Sequence, residues 1–257
     1  YQLIQRGDRI AVCISGGKDS MLMAKLMQEL QRHSDVPFEA VYLVMDPGYN
    51  AANRQKIESN AALLRVPITV FETDIFDIAN GAGESPCYLC ARMRRGHLYG
   101  KARELGCNKI ALGHHFNDVI ETTVMAMFYG AQLQAMLPKL RSDNFPGMEL
   151  IRPMYCIHED DIIAWRRYNG LEFIQCACRF TENIARDGGI GNSKRQEIKA
   201  LIKQLKRDNP DIEKSIFNSI HSVCLDTMPG YKTRGEEHSF LENYDLPKPP
   251  KRGAAEE

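Results

Sequence analysis

RIAVCISGGKDS, residues 9–20, joins a short apolar run to a loop of glycine, lysine and serine. An apolar run of this length that ends at Ser15-Gly16-Gly17 is typical of a buried strand entering a tight turn. The next residues, 19–32, repeat apolar side chains at helical spacing. The segment therefore predicts a strand, a glycine-rich turn and a helix in immediate succession.

The same alternation continues along the chain. Apolar runs predict four more strands, and periodic segments predict helices between them: strands at 38–45, 67–71, 109–112 and 149–152, helices at 53–65, 92–105 and 117–129. This order favours right-handed crossovers, so we predict an α/β, Rossmann-like fold with a parallel sheet and helices on both faces. Sites in such folds lie beyond the carboxyl ends of the strands. The segments after Ile14, Met45, Phe71 and Leu112 are therefore expected to face one crevice.

Three regions follow from the pattern. The α/β domain is expected to span residues 1–178, because the pattern then becomes helical. Residues 179–230 form a predicted small C-terminal helical region, with helices at 193–207 and 211–223. From residue 231 onward proline, glycine and charged residues dominate, so 231–257 is predicted to be a flexible tail.

The composition is that of a soluble globular protein, with 44% hydrophobic and 26% charged residues among 257. The 33 basic and 33 acidic residues balance, so binding of nucleic acid would require a local basic patch. We see neither a secretory signal nor an apolar run of membrane-spanning length, and we expect a cytoplasmic protein without a membrane partner. Eight cysteines in that compartment indicate metal binding or catalysis more often than disulfides.

The glycine-rich turn has the features of a phosphate-binding loop. Gly16 and Gly17 allow the backbone to approach an anion, and the following helix start supplies free N–H groups and a positive dipole end. Lys18 adds a charge, and Ser15 and Ser20 add hydroxyl donors. The spacing is not that of the Walker loop. The alternative is an ordinary turn in which Asp19 or Ser20 caps the helix.

A second candidate segment, GHHFND, follows the predicted strand at 109–112 and opens a helix. Asp118 is expected to point back toward the phosphate loop, and Met45 and Gly113 are placed with the predicted nucleotide contacts. The alternative is that His114 and His115 are packing residues and that Asp118 is a first-turn acid favoured by the helix dipole.

The cysteines suggest a metal centre. Cys87 and Cys90 form a Cys-x-x-Cys pair, and Cys176 and Cys178 lie far downstream. Thiolates from two distant segments are a common way to hold a metal or cluster. The residues alone leave three possibilities open: a structural zinc ion, a dithiol redox site, or a four-iron cluster with three protein ligands.

Two basic runs are candidates for RNA binding: Arg92, Arg94 and Arg95, and the helix at 193–207. Steps of three and four residues place the basic residues of that helix near one face, outside a predicted buried stripe of Leu201, Ile202 and Leu205. These basic residues are Arg195, Lys199, Lys203, Lys206 and Arg207. The alternative for each run is a solvated helix face.

SGGKDS resembles the pyrophosphate loop of the N-type ATP pyrophosphatases, the PP-loop superfamily. PCYLCARMRRGHLYGKARELGCNKIALGHHFNDVIETTVMAMFYG, residues 86–130, and RPMYCIHEDDI, residues 152–162, resemble blocks of the TtcA-type tRNA cytidine 2-sulfurtransferases. The match runs from about Gly7 to about Asp226. The chain departs from that family at Asn117, where a second acid is usual, and at Cys176-Ala177-Cys178, where the family separates the two cysteines by two residues.

The resemblance implies ATP-dependent thiolation of tRNA, in which the C2 oxygen of a cytidine is adenylated and replaced by sulfur. It implies ATP, Mg²⁺ and a [4Fe–4S] cluster as cofactors, with Lys18, Asp19 and Asp118 as catalytic residues. The implied cluster ligands are Cys87, Cys90 and Cys178, with Cys176 as the alternative third ligand. RNA contacts are assigned to Arg92, Arg94, Arg95, Lys199 and Lys203.

The expected partners are tRNA, a sulfur donor such as a cysteine desulfurase or free sulfide, and a second copy of the chain in a homodimer. Three other functions remain as alternatives: thiolation of a uridine, another PP-loop adenylating ligase such as a lysidine synthase, and a non-catalytic nucleotide- and metal-binding sensor. The lysidine synthases have no need of the cysteine set, and a sensor has no need of Lys18, Asp19 and Asp118.

Overall fold

The computed structural model describes residues 1–76, 86–174 and 194–246, excluding the side chains of 86–88, 90 and 91. Six strands form one sheet in the order β3-β2-β1-β4-β6-β5. They are β1 Arg9–Ile14, β2 Glu39–Asp46, β3 Ile68–Glu72, β4 Lys109–Ala111, β5 Lys139–Arg141 and β6 Glu149–Ile151. All neighbouring strands pair in parallel except β5, which runs antiparallel to β6 at the edge.

The helices of the described residues connect and flank these strands. They are α1 Lys18–His33, α2 Ala51–Leu63, α3 Pro86–Glu104, α4 Phe116–Gly130, α5 Glu159–Tyr168, α6 Lys194–Asp208 and α7 Ile212–Ser219. No helix among the described residues has both the length and the apolar character that crossing a membrane requires.

Strand β1 shows that both faces of the sheet are covered. Ile10, Val12 and Ile14 pack into one apolar cluster, with residues of α1 and α2, whereas Ala11 and Cys13 pack into another, with residues of α3. This division follows from the two-residue period of a strand, which turns successive side chains to opposite faces. The predicted parallel α/β sheet with helices on both faces is confirmed.

A buried ion pair joins the amino ends of the strands. Lys109 is 1% exposed, and its Nζ lies 2.6 Å from Asp8 Oδ2 and 3.4 Å from Glu149 Oε2. Asn108 donates a hydrogen bond of 2.8 Å to the other oxygen of Asp8. The segment before β1 is thereby tied to β4 and β6, at the end of the sheet opposite to the predicted crevice.

Several elements differ from the sequence-based expectations. Strand β5 and helix α5 were not predicted. The chain divides into two compact units, with the boundary between Glu213 and Lys214. The second unit contains an antiparallel hairpin of β7 Gly230–Thr233 and β8 Glu236–Ser239, so part of the expected tail is ordered. In that hairpin the rings of Tyr231 and His238 stack with centroids 4.8 Å apart.

Candidate functional site

The loop between β1 and α1 leaves the start of α1 open. The helix begins at Lys18 and its capping residue is Gly17, which provides no side chain to accept the first N–H groups. The alternative in which Asp19 or Ser20 caps α1 is therefore wrong. Gly16 has a φ of +85°, a conformation that disfavours other residues, and a Cβ there would lie 2.7 Å from a side-chain atom of Ile174.

Internal hydrogen bonds hold the loop in shape. The Ser15 N–H donates to Ser20 Oγ at 3.0 Å, and Ser20 Oγ donates to the Gly17 carbonyl at 3.0 Å. The exposed N–H groups at the start of a helix attract anions, because they lack intrahelical partners and lie at the positive end of the helix dipole. The loop is thus built to hold an anion at the carboxyl end of β1.

Lys18 lies between two carboxylates. Its Nζ is 2.8 Å from Asp19 Oδ1 and 3.2 Å from Glu159 Oε1. Burial alone would lower the pKa of Lys18, but the hydrogen bonds and charges of Asp19 and Glu159 outweigh it and the pKa is raised. Lys18 therefore carries its positive charge at neutral pH.

The segment after β4 lies directly against the phosphate loop. A Cβ on Gly113 would lie 3.0 Å from the Cα and N of Ser20 and 3.1 Å from the carbonyl carbon of Asp19. Backbone atoms cannot yield as a flexible side chain can, so any side chain at this position would push the two segments apart by a few tenths of an ångström. The close approach brings the start of α4 beside the start of α1.

His115 lies between the two predicted acids at this junction. Its Nε2 is 3.7 Å from Asp19 Oδ1 and 3.5 Å from Asp118 Oδ2, and the residue is 5% exposed. Burial lowers the pKa of His115, although both carboxylates act in the opposite direction. The structure thus brings Lys18, Asp19 and Asp118 together, and it gives His115 a position that the sequence did not distinguish from packing.

Both oxygens of Asp118 have fixed partners. Oδ2 accepts the His115 backbone N–H at 3.0 Å, and Oδ1 lies 2.8 Å from Arg195 Nη1 on α6. The same Arg195 nitrogen is 3.3 Å from Glu121 Oε2. Burial raises the pKa of Glu121, although the charges of Lys199 and Arg195 lower it. Arg195 therefore orients Asp118 and partly neutralises Glu121.

Two further cations of helix α6 form ion pairs. Lys199 Nζ lies 2.5 Å from Glu159 Oε2, and Lys206 Nζ lies 2.6 Å from Glu213 Oε2. Arg195, Lys199 and Lys206 of the predicted basic face are thus engaged in ion pairs, although each keeps part of its side chain exposed. The buried stripe also differs, because Ile198 and Ile202 are buried while Leu205 is 40% exposed.

Glu159 was missed by the sequence reasoning, although it connects the loop to α6. It is the first residue of α5, and its backbone N–H donates to Asn117 Oδ1 at 2.9 Å. Burial alone would raise the pKa of Glu159, but Lys199 and Lys18 outweigh it and the pKa is lowered. The signal that could have identified this residue is the acidic run Glu159-Asp160-Asp161, which marks a helix start.

A second polar wall follows β4 and β6. Arg152 is 9% exposed, and its Nη1 donates to the Leu137 carbonyl. Burial and the charge of Arg152 lower the pKa of His114 to about 4, so this imidazole is neutral at pH 7. His114 Nδ1 and Arg152 Nε are buried without a hydrogen-bond partner among the described atoms.

The other predicted site residues lie on elements other than α1 and α4, or partly outside the described residues. Met45 is 2% exposed at the end of β2, Arg92, Arg95 and Lys203 are exposed, and Arg94 is half-buried. Cys87 and Cys90 lie at the start of α3, but their side chains are outside the description, as are all of Cys176 and Cys178. Among the described residues no three His, Cys, Asp or Glu side chains cluster as a metal site would.

Comparison with known proteins decides the family. The sequence model of the PP-loop domain family matches residues 2–187 of this chain. A tRNA-cytidine(32) 2-sulfurtransferase of Syntrophotalea carbinolica is 38% identical over 226 residues, which cover 87% of this chain and 84% of that protein. The chain belongs to the PP-loop family of tRNA-cytidine 2-sulfurtransferases. The tRNA-cytidine(32) 2-sulfurtransferase of Cellvibrio japonicus is 38% identical over 227 residues, which cover 87% of this chain and 72% of that protein.

A solved structure confirms the PP-loop fold. The U34-tRNA thiolase NcsA from Methanococcus maripaludis, described with its [4Fe-4S] cluster, superposes with a TM-score of 0.67 at 19% identity, covering 86% of this chain and 73% of that chain. At this identity the likeness concerns the fold alone. The loop at Ser15–Ser20 and the acids beside it lie beyond the carboxyl end of β1, the side of an open α/β sheet at which ligands generally bind.

Proposed function

We propose that this protein is an ATP-dependent tRNA sulfurtransferase that adenylates the C2 oxygen of a cytidine and replaces it with sulfur. The observation that carries the proposal is the convergence of the open phosphate loop with Lys18, Asp19 and Asp118 at one crevice of a PP-loop protein. Family membership supports the substrate class, since the relatives at 38% identity are tRNA-cytidine(32) 2-sulfurtransferases. We assign the protein to the cytoplasm with its tRNA substrate.

The adenylation step requires stabilisation of the charge that develops on the leaving pyrophosphate. The open N–H groups of α1 and the protonated Lys18 face the position where that charge appears, and their geometry is set before ATP arrives. Preorganised donors of this kind act without a reorganisation cost. We assign the phosphates to Ser15, Gly16, Gly17, Lys18 and Ser20, and the rest of the nucleotide to the backbone beside Met45 and Gly113.

The charge balance of the crevice favours a divalent cation. Among the described residues of the crevice, four carboxylates, Asp19, Asp118, Glu121 and Glu159, lie near four cations: Lys18, Arg195 and Lys199 in ion pairs, and Arg152, whose charge acts on Asp118. The cluster offers no excess positive charge to a polyanion such as ATP. Oxygen donors suit Mg²⁺, so we assign it to Asp19 and Asp118, both of which lie within 3.7 Å of His115 Nε2. Bound there, Mg²⁺ supplies further neutralisation of the phosphates.

Sulfur delivery is assigned to the cysteine set. Cys87 and Cys90 stand three residues apart at the start of α3, and Cys178, with Cys176 as the alternative, provides a thiolate from the segment before α6. Three thiolates match the donor chemistry of a [4Fe–4S] cluster with one open iron. Such a cluster, when bound, would supply an iron able to hold sulfide, either free in solution or released by a thiol reductant from the persulfide of a desulfurase.

Positioning of tRNA is assigned to a local patch, because the net charge is zero. Arg92, Arg95, Lys199 and Lys203 are exposed and Arg94 is half-buried, so these five are the candidates for phosphate contacts. The target base must leave its stack to reach the crevice, which costs least in a loop of the tRNA.

The test combines product analysis with nucleoside analysis. Purified protein with ATP, Mg²⁺, tRNA and sulfide should form AMP and pyrophosphate in a tRNA-dependent reaction, and mass spectrometry of the tRNA should show 2-thiocytidine. Lys18→Ala should lower the rate strongly, because it removes a charge-assisted contact of roughly 1.5–3 kcal/mol. ADP as the main product would contradict the adenylation step, and 2-thiouridine in place of 2-thiocytidine would contradict the assigned base.

A further inference from the structure

Two lysines from distant parts of the chain bind the same carboxylate at the phosphate loop. Glu159 Oε1 lies 3.2 Å from Lys18 Nζ, and Glu159 Oε2 lies 2.5 Å from Lys199 Nζ. Lys18 belongs to the loop, whereas Lys199 reaches the same acid from α6. The ammonium of Lys199 is therefore next to the phosphate loop, although its side chain is also partly open to solvent.

Helix α6 holds this position through a second cation one turn earlier. Arg195 bonds Asp118 at 2.8 Å and lies 3.3 Å from Thr122 Oγ1, so it fixes α6 against α4. Residues four apart share one face of a helix, and this face of α6 meets the crevice. The direction of Lys199 follows from that docking and does not depend on its bond to Glu159 alone.

The two partners of this ion pair differ in mobility. Glu159 is 16% exposed on its side chain and is anchored at the start of α5 through its backbone bond to Asn117. Lys199 remains 53% exposed on its side chain, so its flexible stem can turn toward a new anion. A phosphate group carries more charge and more acceptor oxygens than a carboxylate, and it therefore competes for both lysines.

We propose that Lys199 is a second phosphate-binding lysine, supplied by α6 to the β- and γ-phosphates of ATP, and that Glu159 holds Lys18 and Lys199 in place until the nucleotide arrives. This inference rests on the proposed function. It removes Lys199 from the tRNA contacts and leaves Lys203, one turn further along α6 and exposed, on the surface available to RNA.

The experiment measures binding of Mg-ATP and of AMP to the full-length protein by equilibrium dialysis. Lys199→Ala should weaken Mg-ATP binding roughly tenfold to a hundredfold, the range of a charge-assisted contact, and should leave AMP binding within about twofold. Lys199→Arg should restore most of the affinity for Mg-ATP. Lys194→Ala is the matched control on the same helix: it removes an exposed cation that pairs with Glu197, and its affinity for Mg-ATP should equal that of the wild type.

A double variant separates contact from charge neutralisation. If Lys199 only neutralises Glu159, then Lys199→Ala/Glu159→Gln should regain wild-type affinity for Mg-ATP, and this result would overturn the inference. Persistent weak binding in the double variant supports a direct phosphate contact. Equal losses of Mg-ATP and AMP binding in Lys199→Ala would also overturn it, because they would indicate a damaged fold.

The salt dependence of tRNA binding tests whether Lys199 contacts RNA instead of ATP. Each lost phosphate contact to RNA lowers the slope of log affinity against log salt by about one unit. Lys199→Ala should keep the wild-type slope; a shallower slope with unchanged Mg-ATP affinity would return Lys199 to the RNA surface. Wild-type protein that binds Mg-ATP but forms no AMP would refute the proposed function and leave the Lys199 comparison intact.

Discussion

Gly113→Ala tests whether the approach of the β4–α4 segment to the phosphate loop sets the geometry of the site. The added Cβ would lie 3.0 Å from the Cα and N of Ser20. This is tighter than nearly all real Cβ contacts, so the two segments must separate by a few tenths of an ångström. Overpacking of this kind costs about 1–3 kcal/mol. A displacement of about 1 Å between reacting groups can reduce the rate roughly a hundredfold.

The assay has two readouts. Urea unfolding followed through Trp165, the one tryptophan of the chain, reports on the unit that contains the site. AMP formation with tRNA reports on the alignment of Asp118 with the loop. Gly113→Ala should lose about 1–3 kcal/mol of unfolding free energy and up to roughly tenfold in the rate of AMP formation, because its displacement is a fraction of 1 Å.

Gly100→Ala is the matched control. A Cβ at Gly100, inside α3, meets no atom within 4 Å, and alanine in a helix interior is favoured over glycine by about 0.5–1 kcal/mol. Both variants replace glycine by alanine and therefore reduce the conformational entropy of the unfolded chain equally. If Gly113→Ala matched Gly100→Ala in stability and in rate, the reasoning about the close approach would be refuted.

Three further outcomes follow from the structure. Lys109→Met leaves the Asp8 carboxylate buried without its cation, so the free energy of unfolding should fall by about 3–5 kcal/mol. The double variant Lys109→Met/Asp8→Asn should recover part of this loss. If the single and double variants lost the same free energy, the buried ion pair would be contradicted. Burial alone would raise the pKa of Asp8, but hydrogen bonds from Lys109 and Asn108 lower it below its ordinary 3.8. This contribution to stability is present above the unfolded-state pKa of Asp8 and is lost as pH falls through its lower folded-state pKa. In urea titrations, the free energy by which wild type exceeds Lys109→Met should therefore shrink below about pH 4. A constant difference down to about pH 2 would argue against it. Cys87→Ser or Cys90→Ser should abolish iron binding in anaerobically purified protein, and Cys176→Ser compared with Cys178→Ser should identify the third ligand; stoichiometric zinc without iron would contradict the cluster.

The central strands and the phosphate loop were predictable because their signals are local. Every residue of the run RIAVCI after Arg9 is apolar, which predicts a strand buried on both faces, and β1 is covered on both faces of the sheet. The loop residues Ser15–Ser20 are consecutive, so their chemistry is apparent without knowledge of their neighbours. Elements with weak local signals were missed: β5 is three residues at the sheet edge, and the β7–β8 hairpin consists mostly of exposed residues.

Only the tertiary structure decided which charges meet in the crevice. Periodicity established that Arg195 and Lys199 share a helix face, but it carries no information about what covers that face. Their partners Asp118 and Glu159 lie 77 and 40 residues away in the chain. Likewise, glycine at position 113 is explained only by its contact with Ser20 across the crevice. Sequence determined the strand, the loop and the family; packing of α6 and α5 against α4 and α1 determined the ion pairs, because electrostatic contacts depend on distance in space and not on distance along the chain.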